Sequence, residues 1–135
     1  MLKRPRPTHG ELEILRVLWS TGPATVRDVH EALSRTRASI GYTTVLKLMQ
    51  IMAEKELVVR DEKNKAHVYR ARIPQEQTQR QLVSDLLDRV FGGSTTRMVM
   101  QALSSKKASP EEIAEIRRML DDYSRQRGER KGAQS

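Results

Sequence analysis

The sequence predicts a mainly α-helical protein with one small β-hairpin. Apolar residues recur at helical spacing in six segments, and most of these segments begin or end with capping residues. Two short strand-like segments, 57–60 and 67–72, are joined by the polar turn 61–65 and together predict the hairpin. Pro74 then breaks the chain, so three helices precede the hairpin and three follow this boundary.

Capping residues mark the first two helices. Thr8 with Glu11 three residues later predicts the start of the first helix, and Gly22–Pro23 predicts its end. Thr25 with Asp28 three residues later predicts the start of the second helix. The predicted apolar residues are Leu12, Leu15, Val17, Leu18 and Trp19 in the first helix and Val29, Ala32 and Leu33 in the second.

The third predicted helix, from about residue 41 to residue 55, has an exposed face with few charges. At helical periodicity, Thr43, Lys47 and Gln50 point away from the apolar side, and Thr44 lies beside them. The apolar side consists of Val45, Leu48, Met49 and Met52. A hydrogen-bonding face with so little charge, in a basic chain, suggests a binding surface.

Pro74 also separates the predicted domains. Gly92–Gly93 ends the fourth helix, Ser94 caps the fifth, and Ser109–Pro110 starts the sixth. We predict a flexible basic arm at residues 1–7, a first domain at 8–73, a helical domain at 74–124 and a disordered basic tail at 125–135.

Positive charge is concentrated in the part of the chain before Pro74, the basic arm and the first domain together. The 135 residues include 25 Lys and Arg against 17 Asp and Glu, a net charge of +8. Residues 1–72 hold 14 basic and 8 acidic side chains, whereas residues 73–135 hold 11 and 9. A balance of this kind favours an anionic partner, nucleic acid first and an anionic membrane surface second.

Composition argues against several kinds of site. The chain contains no Cys, which removes disulfides, thiolate metal ligands and cysteine nucleophiles. His9, His30 and His67 have no metal-ligand spacing, so we predict no metal and no cofactor. The sequence has no phosphate-binding glycine loop and no nucleophile motif, so we predict that the protein is not an enzyme. The lack of a long apolar run predicts a cytoplasmic protein without membrane insertion.

Three helices followed by a basic hairpin describe a winged helix-turn-helix, which is suited to double-stranded DNA. We predict that the third helix enters the major groove and that the hairpin lies along the DNA backbone as a wing. The candidate base-reading residues are Thr43, Thr44, Lys47 and Gln50, with Tyr42 at a phosphate. The other candidate phosphate contacts are Arg27, Arg35, Arg37, Lys63, Lys65 and His67.

Other functions remain open on these observations. The basic arm and tail would also suit a non-specific architectural DNA-binding protein. A winged-helix adaptor that binds proteins would leave the charge of the first domain unexplained. Each candidate residue, taken by itself, is also compatible with ordinary solvated surface.

The three helices after Pro74 are short, and together they bury too little apolar surface to form a stable core of their own. We predict that they form a homodimer, which would present two third helices to a palindromic operator. The alternative is that they pack on the first domain and leave a monomer. The predicted dimer contacts are Leu82, Leu86, Val90, Ile113, Ile116 and Leu120.

Five segments carry a resemblance to a known family. They read GELEILRVLWSTGPATVRDVHEAL, GYTTVLKLMQIMAEKELVVR, AHVYRA, LLDRVFGG and ASPEEIAEIRRMLDD. In this order, across residues 8–124, they resemble the BlaI/MecI/CopY family of penicillinase-type repressors. The resemblance implies a dimeric repressor of a palindromic operator that controls β-lactamase or related genes and is relieved by a membrane-bound sensor protease. It also implies that the recognition helix begins at residues 41–44.

The chain departs from that family at two places, and it lacks the motif of one branch. The best-known members are cut between Asn and Phe, and the corresponding pair here is Gln101–Ala102, the candidate cleavage site. The family usually has Gly where this chain has Glu56, and a left-handed backbone at a non-Gly residue costs on the order of 1 kcal/mol. The copper-sensing branch uses a cysteine metal motif that this chain lacks.

Overall fold

A computed structural model describes residues 6–36, 39–63, 65–105 and 107–134, with side chains through residue 129. The described residues form six α-helices and one three-stranded antiparallel sheet. The helices are α1 (His9–Thr21), α2 (Val26–Ser34), α3 (Tyr42–Glu54), α4 (Gln75–Arg89), α5 (Thr95–Ser105) and α6 (Pro110–Gln134). The strands are β1 (Ala24–Thr25), β2 (Val58–Asp61) and β3 (Val68–Ala71).

The first two helices begin with the capping boxes that the sequence predicted. At α1, the Thr8 hydroxyl accepts a hydrogen bond from the Glu11 amide at 3.3 Å, and the Glu11 carboxylate accepts one from the Thr8 amide at 2.8 Å. At α2, Thr25 and Asp28 form the same pair of bonds at 3.1 and 3.2 Å. Each box satisfies two amide groups near a helix start, which fixes where the helix begins.

The sheet contains one strand more than the predicted hairpin. Its order is β1-β3-β2, and β1 pairs with β3 through Ala24 opposite Tyr69 and Thr25 opposite Val68. A strand of two residues is too short to show an alternating pattern of apolar and polar residues, and its partner lies far along the chain, so the sequence did not predict it. The order α1-β1-α2-α3-β2-β3 is that of a winged helix-turn-helix, which confirms the predicted fold class.

One hydrophobic core joins the helices and strands of this winged unit. Tyr69, at the centre of β3, is 1% exposed, and Ile14, which the predicted stripe of α1 omitted, is fully buried. Trp19 lies beside the core, and its indole N–H donates to the Ile73 carbonyl at 2.9 Å, which ties the chain after β3 to α1. The core residues are Ile14, Leu15, Leu18, Ala24, Val26, Val29, Leu33, Val45, Met49, Met52, Leu57, Val58 and Tyr69.

The end of α3 contains a left-handed residue that is not glycine. Glu56 has φ 63°, the only positive φ at a non-Gly residue among the described residues. The Leu57 amide donates to the Met52 carbonyl at 2.9 Å and the Glu56 amide to the Ala53 carbonyl at 3.1 Å, the two bonds of a Schellman motif. Met52 and Leu57 are both buried, so the motif fixes the path from α3 into β2.

Replacing Glu56 with glycine is expected to stabilise the winged unit by about 1 kcal/mol, because glycine adopts the left-handed conformation without the clash of a Cβ atom. Urea denaturation of the two proteins measures the difference. Glu56→Ala is the matched control, since it keeps the Cβ atom and removes the carboxylate, which is 3.7 Å from exposed Arg72. A stability gain in Glu56→Ala equal to that in Glu56→Gly would assign the effect to charge instead of backbone strain.

Contacts divide the chain into two compact units, Met1–Val83 and Ser84–Ser135. The sequence placed the boundary at Pro74, but the first part of α4 stays with the winged unit, and Thr78 in this part is buried. Most of the predicted basic arm, residues 1–5, lies outside the described residues.

The second unit leaves its apolar residues exposed. Among its described residues, no hydrophobic side chain is buried. The predicted dimer contacts of this unit are Ile113 and Ile116, which are partly exposed, and Leu86, Val90 and Leu120, which are 43%, 64% and 59% exposed. Leu82, the other predicted contact, lies in the first unit and is also partly exposed. Apolar side chains of this size are therefore exposed on all three helices of this part of the chain.

α6 continues through the segment that the sequence predicted to be disordered. The helix reaches Gln134, so residues 125–134 are helical, and the predicted disordered tail is not what the structure has. Arg, Gln, Glu and Lys are strong helix formers. The polar composition of this segment was taken to indicate disorder, although its residues favour a helix. A side-chain contact one turn apart accompanies the continuation: Arg127 Nη1 donates to the Tyr123 hydroxyl at 3.3 Å.

Candidate nucleic-acid interface

α3 buries one face and exposes the other. Val45, Met49 and Met52 are 0% exposed. Tyr42, at the start of the helix, is 48% exposed. The predicted base-reading residues are also exposed, namely Thr43, Thr44, Lys47 and Gln50. Because all five residues are exposed and none is a core residue, their side chains are available to a ligand.

The start of α3 has no capping side chain, in contrast to the starts of α1 and α2. Its N-cap is Gly41, with extended backbone at φ −85° and ψ 152°. The helical hydrogen bonds begin with the Val45 amide, which donates to the Gly41 carbonyl at 3.2 Å. The amides of the first turn carry partial positive charge, which favours an anion such as phosphate.

The other end of α3 is held by a buried ion pair. Lys55, the C-cap of α3, places Nζ 2.9 and 3.0 Å from the two carboxylate oxygens of Glu11. The Glu11 side chain is 2% exposed and the Lys55 side chain 30%. Burial raises the pKa of Glu11, but hydrogen bonds from Thr8 and the Lys55 ammonium outweigh burial and hold the pKa below its ordinary value. An ionised Glu11 therefore joins the start of α1 to the end of α3.

The C-terminal half of the exposed face of α3 is acidic. Glu54 follows Gln50 by one turn, and both line an open groove of about 440 Å³ together with Arg60 and Glu62. Hydrogen bonds to Tyr69 and Glu62 raise the pKa of the Arg60 guanidinium, and Glu62 is its ion-pair partner. Because the one cation of this groove already has an acidic partner, the groove attracts phosphate less than the start of α3 does.

A second cleft lies beside the start of α3. Its volume is about 560 Å³, and it is lined by Arg27, His30 and Glu31 from α2 and by Tyr42 from α3. The Arg27 guanidinium is 3.8 Å from the Glu31 carboxylate, and both side chains are well exposed. An exposed pair of this kind contributes little energy, so Arg27 can exchange it for a phosphate. The structure thus brings together two predicted contacts, Arg27 and Tyr42.

Three of the predicted phosphate contacts lie in the loop of the wing. Lys63, Lys65 and His67 are exposed in the loop between β2 and β3. The Lys63 amide donates to the Asp61 carboxylate at 3.0 Å, which shapes the turn after β2. The loop of the wing therefore presents exposed cationic side chains beside the acidic residues Asp61 and Glu62.

One of the remaining two predicted contacts, Arg35, is not grouped with α3. Arg35, at the C-terminal end of α2, lines a different groove of about 440 Å³ together with Arg16 from α1. Arg37 lies outside the described residues.

The roles of Glu54 and Arg60 and the ion pair between Lys55 and Glu11 were not predicted from the sequence. The signal for Glu54 was present, because it continues the exposed stripe of α3 one turn beyond Gln50. Arg60 became relevant only when β2 was placed beside α3. The Lys55–Glu11 pair has no local signal, because it joins residues 44 positions apart.

Neither a metal site nor a membrane span occurs in the part of the chain that the structure describes. No three of its His, Asp and Glu side chains are grouped so that they could hold a metal ion. None of its helices combines the length and the apolar character needed to cross a bilayer.

A family model described as "Penicillinase repressor" matches residues 7–122, which include the winged unit and most of the helices after it. The chain belongs to the penicillinase repressor family. This result confirms the resemblance inferred from the sequence. The family consists of transcriptional repressors, not enzymes, so the prediction of a non-enzymatic protein is confirmed as well.

Relatives within the penicillinase repressor family match to different extents. A transcriptional regulator BlaI of Mycobacterium tuberculosis is 48% identical over 63 residues, 44% of this chain and 45% of that protein. The chain therefore spans less than half the length of this relative. A penicillinase repressor of Bacillus licheniformis is 24% identical over 129 residues, 96% of this chain and 100% of that protein. A penicillinase repressor of Staphylococcus aureus is 17% identical over 123 residues.

A solved structure is similar to part of the chain. It is described as the solution structure of the DNA-binding domain of the repressor BlaI. The similarity has a TM-score of 0.49 at 23% identity and covers 56% of this chain and 90% of that one.

The cleavage site implied by the penicillinase repressor resemblance falls inside a helix. Gln101 and Ala102 are both exposed, and both lie within α5. The Ser104 hydroxyl donates to the Met100 carbonyl at 2.7 Å within the same helix. Proteases favour exposed, flexible chain, so cutting here requires α5 to open locally.

Proposed function

We propose that the protein is a sequence-specific transcriptional repressor that binds double-stranded DNA through α3. The observation that carries the proposal is the exposed polar face of a helix whose opposite face is fully buried in a winged unit. Helices of this fold enter the major groove with their N-terminal residues nearest the bases. That half of α3 carries Thr43, Thr44 and Lys47, whereas Glu54 lies at the other end.

The roles of the individual side chains follow from their chemistry. Thr43 and Thr44 offer hydroxyl and methyl groups to base edges, and Lys47 reaches a guanine or a phosphate. Gln50 is suited to adenine. The hydroxyl of Tyr42 is a candidate donor to a phosphate.

Cations around α3 would attract and position the DNA backbone. Arg27 lies beside Tyr42 in the cleft at the helix start, and the lysines in the loop of the wing are exposed. We assign Lys63, Lys65 and His67 to the backbone flanking the groove, and Arg35 to a more distant phosphate. Contacts of this type fix register without reading sequence.

A negative charge placed at the start of α3 should weaken DNA binding without impairing folding. Gly41→Asp is expected to lower operator affinity at least about fivefold, because like charges about 4 Å apart repel by roughly 1 kcal/mol even in water. Folding should not suffer, since the Gly41 backbone is extended, a Cβ atom there would meet no atom within 4 Å, and Asp is a good N-cap. Fluorescence anisotropy with labelled operator measures the affinity.

Gly41→Asn is the matched control for this experiment. It adds a side chain of nearly the same shape, also a good N-cap, without the charge. Equal affinity of the Asp and Asn variants would show that phosphates do not approach the start of α3.

The second unit is proposed to form a homodimer through the exposed faces of α4, α5 and α6. Its apolar residues are not covered within the described chain, which favours a partner copy over an isolated monomer. A twofold dimer would place two copies of α3 on the half-sites of a palindromic operator.

Relief of repression is proposed to follow the pattern that the family resemblance implies. A membrane-bound sensor protease would cut at Gln101–Ala102, and the genes controlled would include β-lactamase or related genes. Because this pair lies inside α5, cutting would first require the helix to open, and it would then divide the unit that forms the dimer.

Selection from a pool of random DNA duplexes tests the proposed function directly. We expect repeated rounds of binding to the full-length protein to enrich a palindrome. The selected duplex, called the selected operator below, should compete at least about a thousandfold better than mixed-sequence DNA. Affinity for both should fall steeply with salt concentration. Equal competition by both DNAs would instead support a non-specific architectural protein.

A further inference from the structure

The side chain of His30 joins α2 to the start of α3. His30 is half-buried, and its Nε2 atom lies 3.0 Å from the carbonyl oxygen of Ile40. Its ring also contacts the ring of Tyr42 edge-on, with centroids 5.8 Å apart and an interplanar angle of 81°. Ile40 and Tyr42 flank Gly41, the N-cap of α3. Both contacts of His30 therefore converge on the point where the helix begins.

The hydrogen bond to Ile40 determines which ring nitrogen of His30 carries a proton. A carbonyl oxygen only accepts hydrogen bonds, so Nε2 must be the donor. The Ser34 hydroxyl is 3.4 Å from the same nitrogen, but it has a closer acceptor in the His30 carbonyl at 2.8 Å. The ring of His30 therefore acts as a side-chain donor that spans ten residues of the chain.

The start of α3 has little other local support. Its N-cap is a glycine, so no side chain at that position bonds the first-turn amides. The Ile40 carbonyl also precedes the first carbonyl of the helical ladder, which belongs to Gly41. His30 thus holds a backbone group that lies just outside the helix, and it does so from α2, which is fixed by its own capping box.

We propose that His30 is a positioning residue for sequence-specific DNA recognition. It acts through Ile40 and Tyr42, setting the direction in which α3 starts and the place of the Tyr42 ring. The inference rests on the function proposed above and adds a residue on α2 to that binding site. Base-edge hydrogen bonds require close alignment, whereas backbone attraction tolerates displacement, so loss of His30 should reduce specific binding more than non-specific binding.

The test compares two affinities of the same variant. Partial unfolding lowers both affinities by the same factor, so their ratio reports only on the folded protein. The ratio is affinity for the selected operator divided by affinity for mixed-sequence DNA, measured with the full-length protein at a temperature where every variant is folded by circular dichroism. His30→Phe keeps an aromatic ring and removes the donor, and it should lower the ratio about tenfold, the size of one lost base contact. His30→Gln places an amide N–H at similar reach and should restore most of the ratio.

Two further variants keep the test decisive. His30→Asn is polar but too short to reach Ile40, so it should lower the ratio as His30→Phe does, and it replaces that variant if His30→Phe does not fold. Val29→Ala, beside His30 on α2, removes core volume and should lower the thermal midpoint while leaving the ratio unchanged.

The outcomes for His30 and for the proposed function are distinct. A ratio near one in the unchanged protein would overturn the proposed function, and this inference with it. A high ratio that persists in His30→Phe and His30→Asn would overturn the role of His30 alone. A loss in Val29→Ala as large as that in His30→Phe would show that any destabilisation of α2 has the same effect, which also refutes a specific positioning role.

Discussion

Replacing Lys55 with methionine is expected to destabilise the winged unit by about 3 kcal/mol at neutral pH. The substitution leaves the Glu11 carboxylate, 2% exposed, without its counter-charge. Loss of one partner of a buried ion pair costs roughly 3–5 kcal/mol, and the partial exposure of Lys55 places the effect at the lower end. Chemical denaturation followed by circular dichroism measures the change.

The same ion pair predicts a dependence of stability on pH. The pKa of Glu11 is lowered in the folded protein, so its contribution is complete above the ordinary carboxyl pKa and is lost as pH falls through the folded value. In Lys55→Met, burial is no longer opposed by the ammonium, so the pKa of Glu11 should rise. The stability difference between the two proteins should therefore shrink as the medium is acidified.

A matched double variant isolates the buried charge as the cause. Glu11→Gln in the Lys55→Met background removes the charge, and Gln can keep the capping box with Thr8. The double variant should be more stable than Lys55→Met at neutral pH, with a weaker dependence on pH. If the single and double variants are equally stable at every pH, the loss arises from the packing of the Lys55 side chain and not from an unpaired carboxylate.

Replacing Leu120 with glutamate is expected to convert a homodimer into a monomer and to weaken operator binding about a hundredfold or more. Leu120 is 59% exposed in the single chain, so the substitution should not disturb the folding of α6 itself. At a dimer interface the new carboxylate would have to leave water, which costs several kcal/mol without a partner. Loss of the dimer also loses the second α3 and the high effective concentration that linkage gives it.

Sedimentation equilibrium measures the mass of this variant, and anisotropy measures its affinity for the selected operator. Ala114→Glu introduces the same side chain at an exposed position on another face of α6, away from Ile113, Ile116 and Leu120, and should remain dimeric. A Leu120→Glu protein that is still dimeric would place the interface elsewhere. A monomeric mass for the unchanged protein at micromolar concentration would reject the homodimer.

The parts of the fold set by nearby residues were predictable from the sequence. Thr8 with Glu11 and Thr25 with Asp28 start their helices through bonds that span three residues, and those bonds form as predicted. β1 was missed because its existence depends on pairing with Tyr69, which no local pattern indicates. The last turns of α6 were missed because polarity was taken as disorder although the residues favour helix.

The candidate site was likewise predictable only in part from the sequence. The exposed face of α3 follows from helical periodicity, so Thr43, Lys47 and Gln50 were found without a structure. The groups that hold the two ends of α3 were not predicted from the sequence. His30 contacts Ile40 across ten residues, and Lys55 contacts Glu11 across 44, so only the folded chain shows either contact.

The separation between the exposed face of α3 and the groups that anchor it has an evolutionary consequence. Thr43, Lys47 and Gln50 lie outside the core, while the helix is fixed at its ends by other residues and along its buried side by Val45 and Met49. Substitutions on the outer face should therefore change the preferred DNA sequence with little loss of stability. Duplicated copies of such a protein could diverge to different target genes by a few changes on one helix, with the scaffold retained.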